Sequence, residues 1–114
     1  MPYKKSKRGS KKLSKKGSKK LKLLKITKSP KKDKKLRASF ERDGRIKNID
    51  FGSAGMSDFT KHKNPLRKEL YIARHKSREN FNKPDTAGAL SRWVLWNKTS
   101  LKASIADYKR RFNL

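Results

Sequence analysis

Lysine and arginine dominate the side chains of this sequence that could do chemistry. The 114 residues hold 35 Lys and Arg against 9 Asp and Glu, which gives a formal charge of +26. A chain with this charge repels itself until a polyanion or an acidic protein surface neutralises it. Flexible lysines displace condensed counterions from phosphates, and neutralising about ten phosphates predicts a log–log salt slope near −9. The expected partner is therefore nucleic acid or an equally acidic surface, bound without sequence preference.

We assign this binding to two groups of basic residues. The first is almost all lysine, which suits diffuse attraction, and the second is arginine, whose planar guanidinium suits fixed bidentate contacts. Arg67, Arg74 and Arg78 share a helical face if their helix continues past His75, although an ordinary solvated basic face is an equal interpretation. A pure nuclear-localisation signal is the alternative for the lysine-rich part. The full set is Lys4, Lys5, Lys7, Arg8, Lys11, Lys12, Lys15, Lys16, Lys19 and Lys20, then Arg67, Arg74, Arg78, Arg92, Arg110 and Arg111.

The sequence offers little material for catalysis. Asp58, His62, His75 and Glu79 are the only residues that could form a nuclease-like site, and phosphodiester chemistry with metals generally needs clustered carboxylates. The chain has no cysteine, so thiolate metal sites and thiol catalysis are excluded. We predict no catalytic residue, metal, cofactor or small-molecule substrate. A nucleic-acid enzyme accessory is the weaker alternative.

The elements that position these residues divide at about Lys35. Residues 1–35 hold 17 Lys and Arg, one acid and a GSKKL repeat. Residues 36–114 hold 18 Lys and Arg and 8 acids. The first segment has too little apolar surface to fold alone, so we expect a basic arm that is disordered or ordered by its partner. The second predicts a small α+β domain with a hairpin at about 36–52 and helices at about 65–76, 87–96 and 100–112.

Local signals support these elements. Asp43-Gly44 predicts the hairpin turn, and the odd spacing of Ile46 and Ile49 predicts a bulge or a one-residue slip near Lys47-Asn48 if both face inward. Ser57 or Asp58, Asn64 before Pro65, Thr86, and Thr99 or Ser100 are the expected helix caps. Leu66, Leu70 and Ala73 are expected on the buried stripe of the helix that begins at Pro65, with Tyr71 beside it. We predict core packing for Trp93 and Trp96, with base stacking by one of them as the alternative.

The apolar residues near the N-terminus do not predict a membrane segment. Leu21, Leu23, Leu24 and Ile26 are too few, and too interrupted by lysine, for a signal peptide or a span. We expect no membrane insertion and a chain kept on the cytosolic side, with binding at an anionic membrane surface as a weak alternative.

Residues 45–114 resemble a family of small basic proteins, of uncharacterised activity, encoded by giant nucleocytoplasmic large double-stranded DNA viruses. The segments that carry the resemblance are IDFGSAGMSDFTKHK at 49–63, YIARH at 71–75, ENF at 79–81, TAGALSRW at 86–93, LWNK at 95–98 and ASIADYKRRF at 103–112. Thr99 stands where the family pattern usually has proline, and Phe81 where it often has tryptophan. The resemblance implies a virion component and no mechanism.

These observations together predict a virion-associated structural protein. We expect a minor capsid or cementing component whose basic arm binds viral double-stranded DNA or acidic inner-capsid surfaces, with viral capsid proteins and DNA as partners. A histone-like or protamine-like DNA-condensing protein is the alternative. The expected location is the inner capsid or genome core of the virion, and the host cytoplasm or nucleus during assembly.

Overall fold

A computed structural model of the chain describes residues 20–114, and the predicted arm residues Lys4 to Lys19 lie outside that range. The described chain folds as an α+β domain, as predicted, with a three-stranded antiparallel sheet in the order β1-β2-β3. No helix within residues 20–114 is long and apolar enough to cross a membrane. The elements are β1 (Lys22–Lys28), β2 (Lys34–Arg42), β3 (Arg45–Ser53), α1 (Phe59–His62), α2 (Pro65–His75), α3 (Ala87–Leu90), a π-helical segment (Ser91–Leu95) and α4 (Leu101–Phe112).

The β2–β3 hairpin is confirmed, and its turn is the expected Asp43-Gly44. Both residues have positive φ, 57° and 77°, which matches the twist that a two-residue turn gives to its strands. The bulge predicted near Lys47-Asn48 is wrong, because the register of β2 and β3 runs without a shift from Lys34↔Ser53 to Arg42↔Arg45. Ile46 lies on the opposite face from Ile49 and is 59% exposed, so no bulge is needed.

The folded domain begins earlier than the predicted boundary at Lys35, because β1 pairs with β2. Leu23 lies opposite Phe40, Ile26 lies opposite Ala38, and the register shifts between Leu23 and Lys25. Because of that irregularity, the side chains of Leu23 and Ile26, three residues apart, both face the core. Burying them outweighs the local excess of lysine, so residues 22–28 belong to the sheet.

The core lies between the sheet and the C-terminal helices. Ala38, Phe40 and Phe51 pack against Leu90, Val94, Leu95 and Tyr108. Burial raises the pKa of the Tyr108 hydroxyl, which donates to the Pro84 carbonyl oxygen at 2.7 Å. This contact satisfies the one polar atom of a fully buried ring.

The four helix starts use side-chain caps that the sequence predicts. Asp58, Asn64, Thr86 and Ser100 each accept a hydrogen bond from a backbone N–H in the first turn of the helix that follows. The helix predicted at 87–96 is α3 followed by the π-helical segment, and the helix predicted at 65–76 ends at His75.

The predicted buried stripe of α2 is wrong. Leu66, Leu70 and Ala73 are exposed, and α2 turns toward the domain Ile72 and Tyr71, the residue expected only beside the stripe. The reason is a stacked contact: the rings of Tyr71 and Trp96 lie parallel at 4.3 Å between centroids, and His75 stacks on Tyr71 at 4.2 Å. Aromatic packing therefore sets the rotation of α2 about its axis, and its leucines face outward.

Candidate anion-binding surface

A concave surface of about 1100 Å³ opens between the β1–β2 connection and the chain that leads from β3 into α1. We call it the lysine groove. Hydroxyl groups of Ser29, Ser57 and Thr60 also line it, and Asp58 is the only acid among its lining residues. Its basic residues are Lys28, Lys31, Lys32, Lys34, Lys35 and Lys61.

The β1–β2 connection, which carries Lys31 and Lys32 of the groove, is held in a fixed conformation. The Ser29 hydroxyl donates to Asp50 Oδ1 at 2.7 Å and accepts from the Lys31 backbone N–H at 3.0 Å. The Ala54 N–H donates to the Asp33 carbonyl at 3.0 Å, which ties this connection to the end of β3. These backbone and side-chain hydrogen bonds, including the one to Asp50, fix the shape of the groove.

Asp50 itself is neutralised by Arg37. The guanidinium donates to both carboxylate oxygens, at 2.9 and 3.0 Å. These hydrogen bonds, with the one from Ser29, lower the pKa of Asp50 to about 2. Lys31 Nζ lies farther from this carboxylate, at 3.8 Å, and is mostly exposed.

Asp58 is also committed to the fold. Its side chain is 2% exposed, and it accepts from Lys35 Nζ at 2.5 Å and from the backbone N–H and the hydroxyl of Thr60. Burial raises the pKa of Asp58, but the hydrogen bonds from Lys35 and Thr60 outweigh it, so the net shift is downward. The charges of Asp58 and Lys35 therefore cancel. Within the described part of the chain, no ion pair forms at the other four lysines that line the groove without an acidic neighbour, Lys28, Lys32, Lys34 and Lys61.

Two of the predicted arginines lie beside this groove. Arg67 and Arg74 line a second concavity of about 490 Å³ that adjoins the groove at Lys34 and Met56. We call it the arginine cleft. Arg78 does not share their helical face, because α2 ends at His75 and Arg78 lies in the turn that follows.

Arg92, Arg110 and Arg111 lie elsewhere, around Trp93 and Asp107. The guanidinium carbons of Arg92 and Arg111 lie 4.0 and 3.8 Å from the centroid of the Trp93 ring. Arg92 also donates to the Trp96 carbonyl at 2.8 Å, and burial followed by the charge of Arg111 lowers its pKa.

Asp107 accepts from Arg110 at 3.0 Å and from Arg111 at 3.3 Å. Each of these three arginines thus donates one hydrogen bond within the domain. Both tryptophans pack against the core, as predicted, and Trp93 Nε1 donates to the Phe81 carbonyl at 2.7 Å.

Of the residues considered for a nuclease-like site, Asp58, His75 and Glu79 line the arginine cleft and His62 does not, but they form no metal site. Asp58 caps α1, His62 Nδ1 accepts from the Asn64 N–H at 2.9 Å, and His75 Nδ1 lies 3.9 Å from Glu79. Within residues 20–114, no group of three or more His, Cys, Asp or Glu side chains could hold a metal ion.

A family of unknown function, DUF5754, is described by a model that matches residues 24–75 of the chain. The chain is similar to that family over this span. No curated protein and no solved structure matches the chain. The matched residues run from β1 to the end of α2, so they include both connections that form the lysine groove.

None of the six lysines that line the groove is among the binding residues predicted from the sequence. Of the arm residues predicted to bind, Lys4 to Lys20, the structure describes only Lys20, which is exposed. The available signal was the run Lys31-Lys32-Asp33-Lys34-Lys35 after Ser29-Pro30. That run reads as a turn between strands only when the residues before it are recognised as β1.

Proposed function

We propose that the protein is a non-enzymatic structural protein that binds the phosphate backbone of double-stranded DNA through the lysine groove and its basic N-terminal residues. One observation carries this proposal: four lysines of a fixed, concave surface have no acidic partner among the described residues. Clustered like charges held together without counter-charge are stabilised by an anionic ligand. The nine Lys and Arg residues that precede Lys20 add to the same attraction.

The chemistry of the groove supports a phosphate backbone more than bases. Lysine ammonium groups are point charges that neutralise phosphates without a required geometry, whereas base recognition relies on bidentate arginine or amide contacts. The Ser57 hydroxyl lies in the same groove, and serine hydroxyls are typical phosphate ligands. Binding is therefore salt-dependent and indifferent to sequence.

In the viral setting that the resemblance implies, such a protein is a virion component. A folded body that carries both an anion-binding groove and a second cleft supports the minor capsid or cementing role, because a body of this kind can hold DNA and a protein surface together. Disruption of virions with and without nuclease tests this role. Retention on nuclease-treated shells in moderate salt is expected, and release with the digested DNA would favour the histone-like alternative.

The groove is tested by charge-matched variants of the full chain. In the groove variant, glutamine replaces Lys28, Lys32, Lys34 and Lys61. In the control variant, glutamine replaces four exposed lysines outside both concavities, Lys76, Lys83, Lys98 and Lys109. Both variants lose the same charge, so any difference between them reports the position of the lysines.

The readout is the salt dependence of binding to a mixed-sequence DNA duplex. If all four groove lysines contact phosphates, the groove variant lowers the magnitude of the log–log slope by about 3.6, at about 0.9 for each phosphate. The control variant changes it by less than about 1. Equal slopes in the two variants would mean that binding follows net charge alone, and the groove would not be the interface.

A further inference from the structure

The arginine cleft combines exposed aliphatic side chains with unpaired cations. Met56 and Leu70 both line it and are 66% and 55% exposed. Leu66, one turn before Leu70 on α2, is 63% exposed and extends the apolar surface beyond the cleft. Exposed aliphatic side chains that cluster around a concavity mark an interaction site more often than scattered ones do.

The floor of the cleft is a rigid stack of rings. Tyr71 and Trp96 line the cleft with their planes 3° apart, and His75 stacks on Tyr71. On the Trp96 side, the His62 ring lies 5.3 Å from Trp96 in a tilted contact. Because Trp96 and His75 stack on the two faces of Tyr71, a nucleobase cannot insert between these rings.

The charges around the cleft are positive and available. Lys34, Arg67 and Arg74 form no ion pair within residues 20–114. Of the two acids that line the cleft, Asp58 is neutralised by Lys35, and Glu79 lies 3.9 Å from His75 with its carboxylate packed against Gly88. The cleft therefore offers cations beside aliphatic surface.

We propose that the arginine cleft docks a segment of a partner protein in which carboxylates flank an aliphatic or aromatic side chain. The apolar side chain packs on Met56 and Leu70 above the Tyr71–Trp96 stack, and the carboxylates pair with Arg67, Arg74 and Lys34. A cavity of about 490 Å³ lies within the range of specific ligand sites. This docking does not depend on DNA binding in the lysine groove.

Charge and surface chemistry favour this occupant over the others. A DNA backbone gains nothing from aliphatic side chains, and a base cannot insert between the stacked rings of Tyr71 and Trp96. A second copy of this chain is a poor occupant, because its nine acids are never adjacent in sequence and its net charge is +26. An acidic, partly apolar segment of another protein satisfies both the cations and the aliphatic surface.

The test compares two short synthetic peptides at physiological salt, measured by fluorescence anisotropy with the full chain. One peptide is rich in Glu and carries Leu and Phe, and the other has Ser in place of Leu and Phe. Because burying one such side chain is worth a factor of ten or more in affinity, we expect the first peptide to bind at least about tenfold tighter. The double variant Met56→Ser with Leu70→Ser removes this preference.

A matched control uses exposed apolar residues outside the cleft. Leu24→Ser with Ile46→Ser leaves the preference for the apolar peptide unchanged. Equal affinities for the two peptides, or a preference that survives Met56→Ser with Leu70→Ser, would overturn the proposal. If the wild-type chain self-associates and Met56→Ser with Leu70→Ser abolishes that self-association, the occupant is a second copy and the proposal is overturned.

Discussion

Gly52 gives the sharpest test of how the sheet meets the helices. Its φ is +81°, and a Cβ added there would lie 2.6 Å from Leu95 Cδ1 and 3.2 Å from the Lys35 Cβ. Gly55 has a similar φ, +87°, but a Cβ there would meet nothing within 4 Å. The two glycines thus share the conformational requirement and differ in the space around them.

Gly52→Ala should therefore cost more than Gly55→Ala. Left-handed backbone costs a non-glycine residue about 1–2 kcal/mol, and this applies to both variants. Overpacking against Leu95, a buried core residue, adds about 1–3 kcal/mol at position 52 alone. We expect losses of about 2–5 kcal/mol for Gly52→Ala and about 1–2 kcal/mol for Gly55→Ala.

Urea unfolding followed by circular dichroism measures both free energies of unfolding. A second variant, Gly52→Ala with Leu95→Ala, relieves the contact but opens a cavity, so the two changes must be non-additive if Leu95 is the obstacle. Equal losses for Gly52→Ala and Gly55→Ala would refute the close approach of β3 to the π-helical segment.

Three further predictions concern stability. Asp58→Ala leaves the Lys35 ammonium buried and unpaired and should cost about 3–5 kcal/mol in urea unfolding, with part of that loss recovered in Asp58→Ala with Lys35→Met. Burial, and then the charge of Arg67, lower the pKa of His62 in the folded state, so the urea midpoint should fall as pH drops below about 6.5, and His62→Gln should flatten that dependence. The pKa of Asp50 is depressed from 3.8 to about 2, so the stability it contributes is present above 3.8 and lost as pH falls toward 2; in thermal melts, Asp50→Asn should weaken that acid sensitivity.

Local features of the fold could be predicted from the sequence because their causes are local. The Asp43-Gly44 turn needs two residues that tolerate positive φ, and the caps Asn64 and Thr86 need a side-chain oxygen just before a helix. Each requirement is met within a few residues. The hairpin and the positions of the helices followed from them.

Features set by tertiary contacts were missed. The rotation of α2 depends on the stacking of Tyr71 on Trp96, 25 residues apart in sequence, and hydrophobic spacing alone favoured Leu66 and Leu70 instead. The strand β1 was hidden by its lysines, because its core face is defined only by pairing with β2. The lysine groove could not be predicted without that strand.

The position of β1 has a consequence for how the protein assembles. Since the sheet order is β1-β2-β3, one side of β1 pairs with no described strand, and an open backbone edge can recruit a strand from another molecule. This edge strand carries Lys22, Lys25 and Lys28, and their positive charges oppose pairing of β1 strands from two copies of the protein. A polyanion that neutralises these lysines removes this repulsion. Mixtures of the protein and a polyanion in which the two total charges are nearly equal should therefore aggregate or gel. Soluble complexes should form only when the protein or the polyanion is in clear excess.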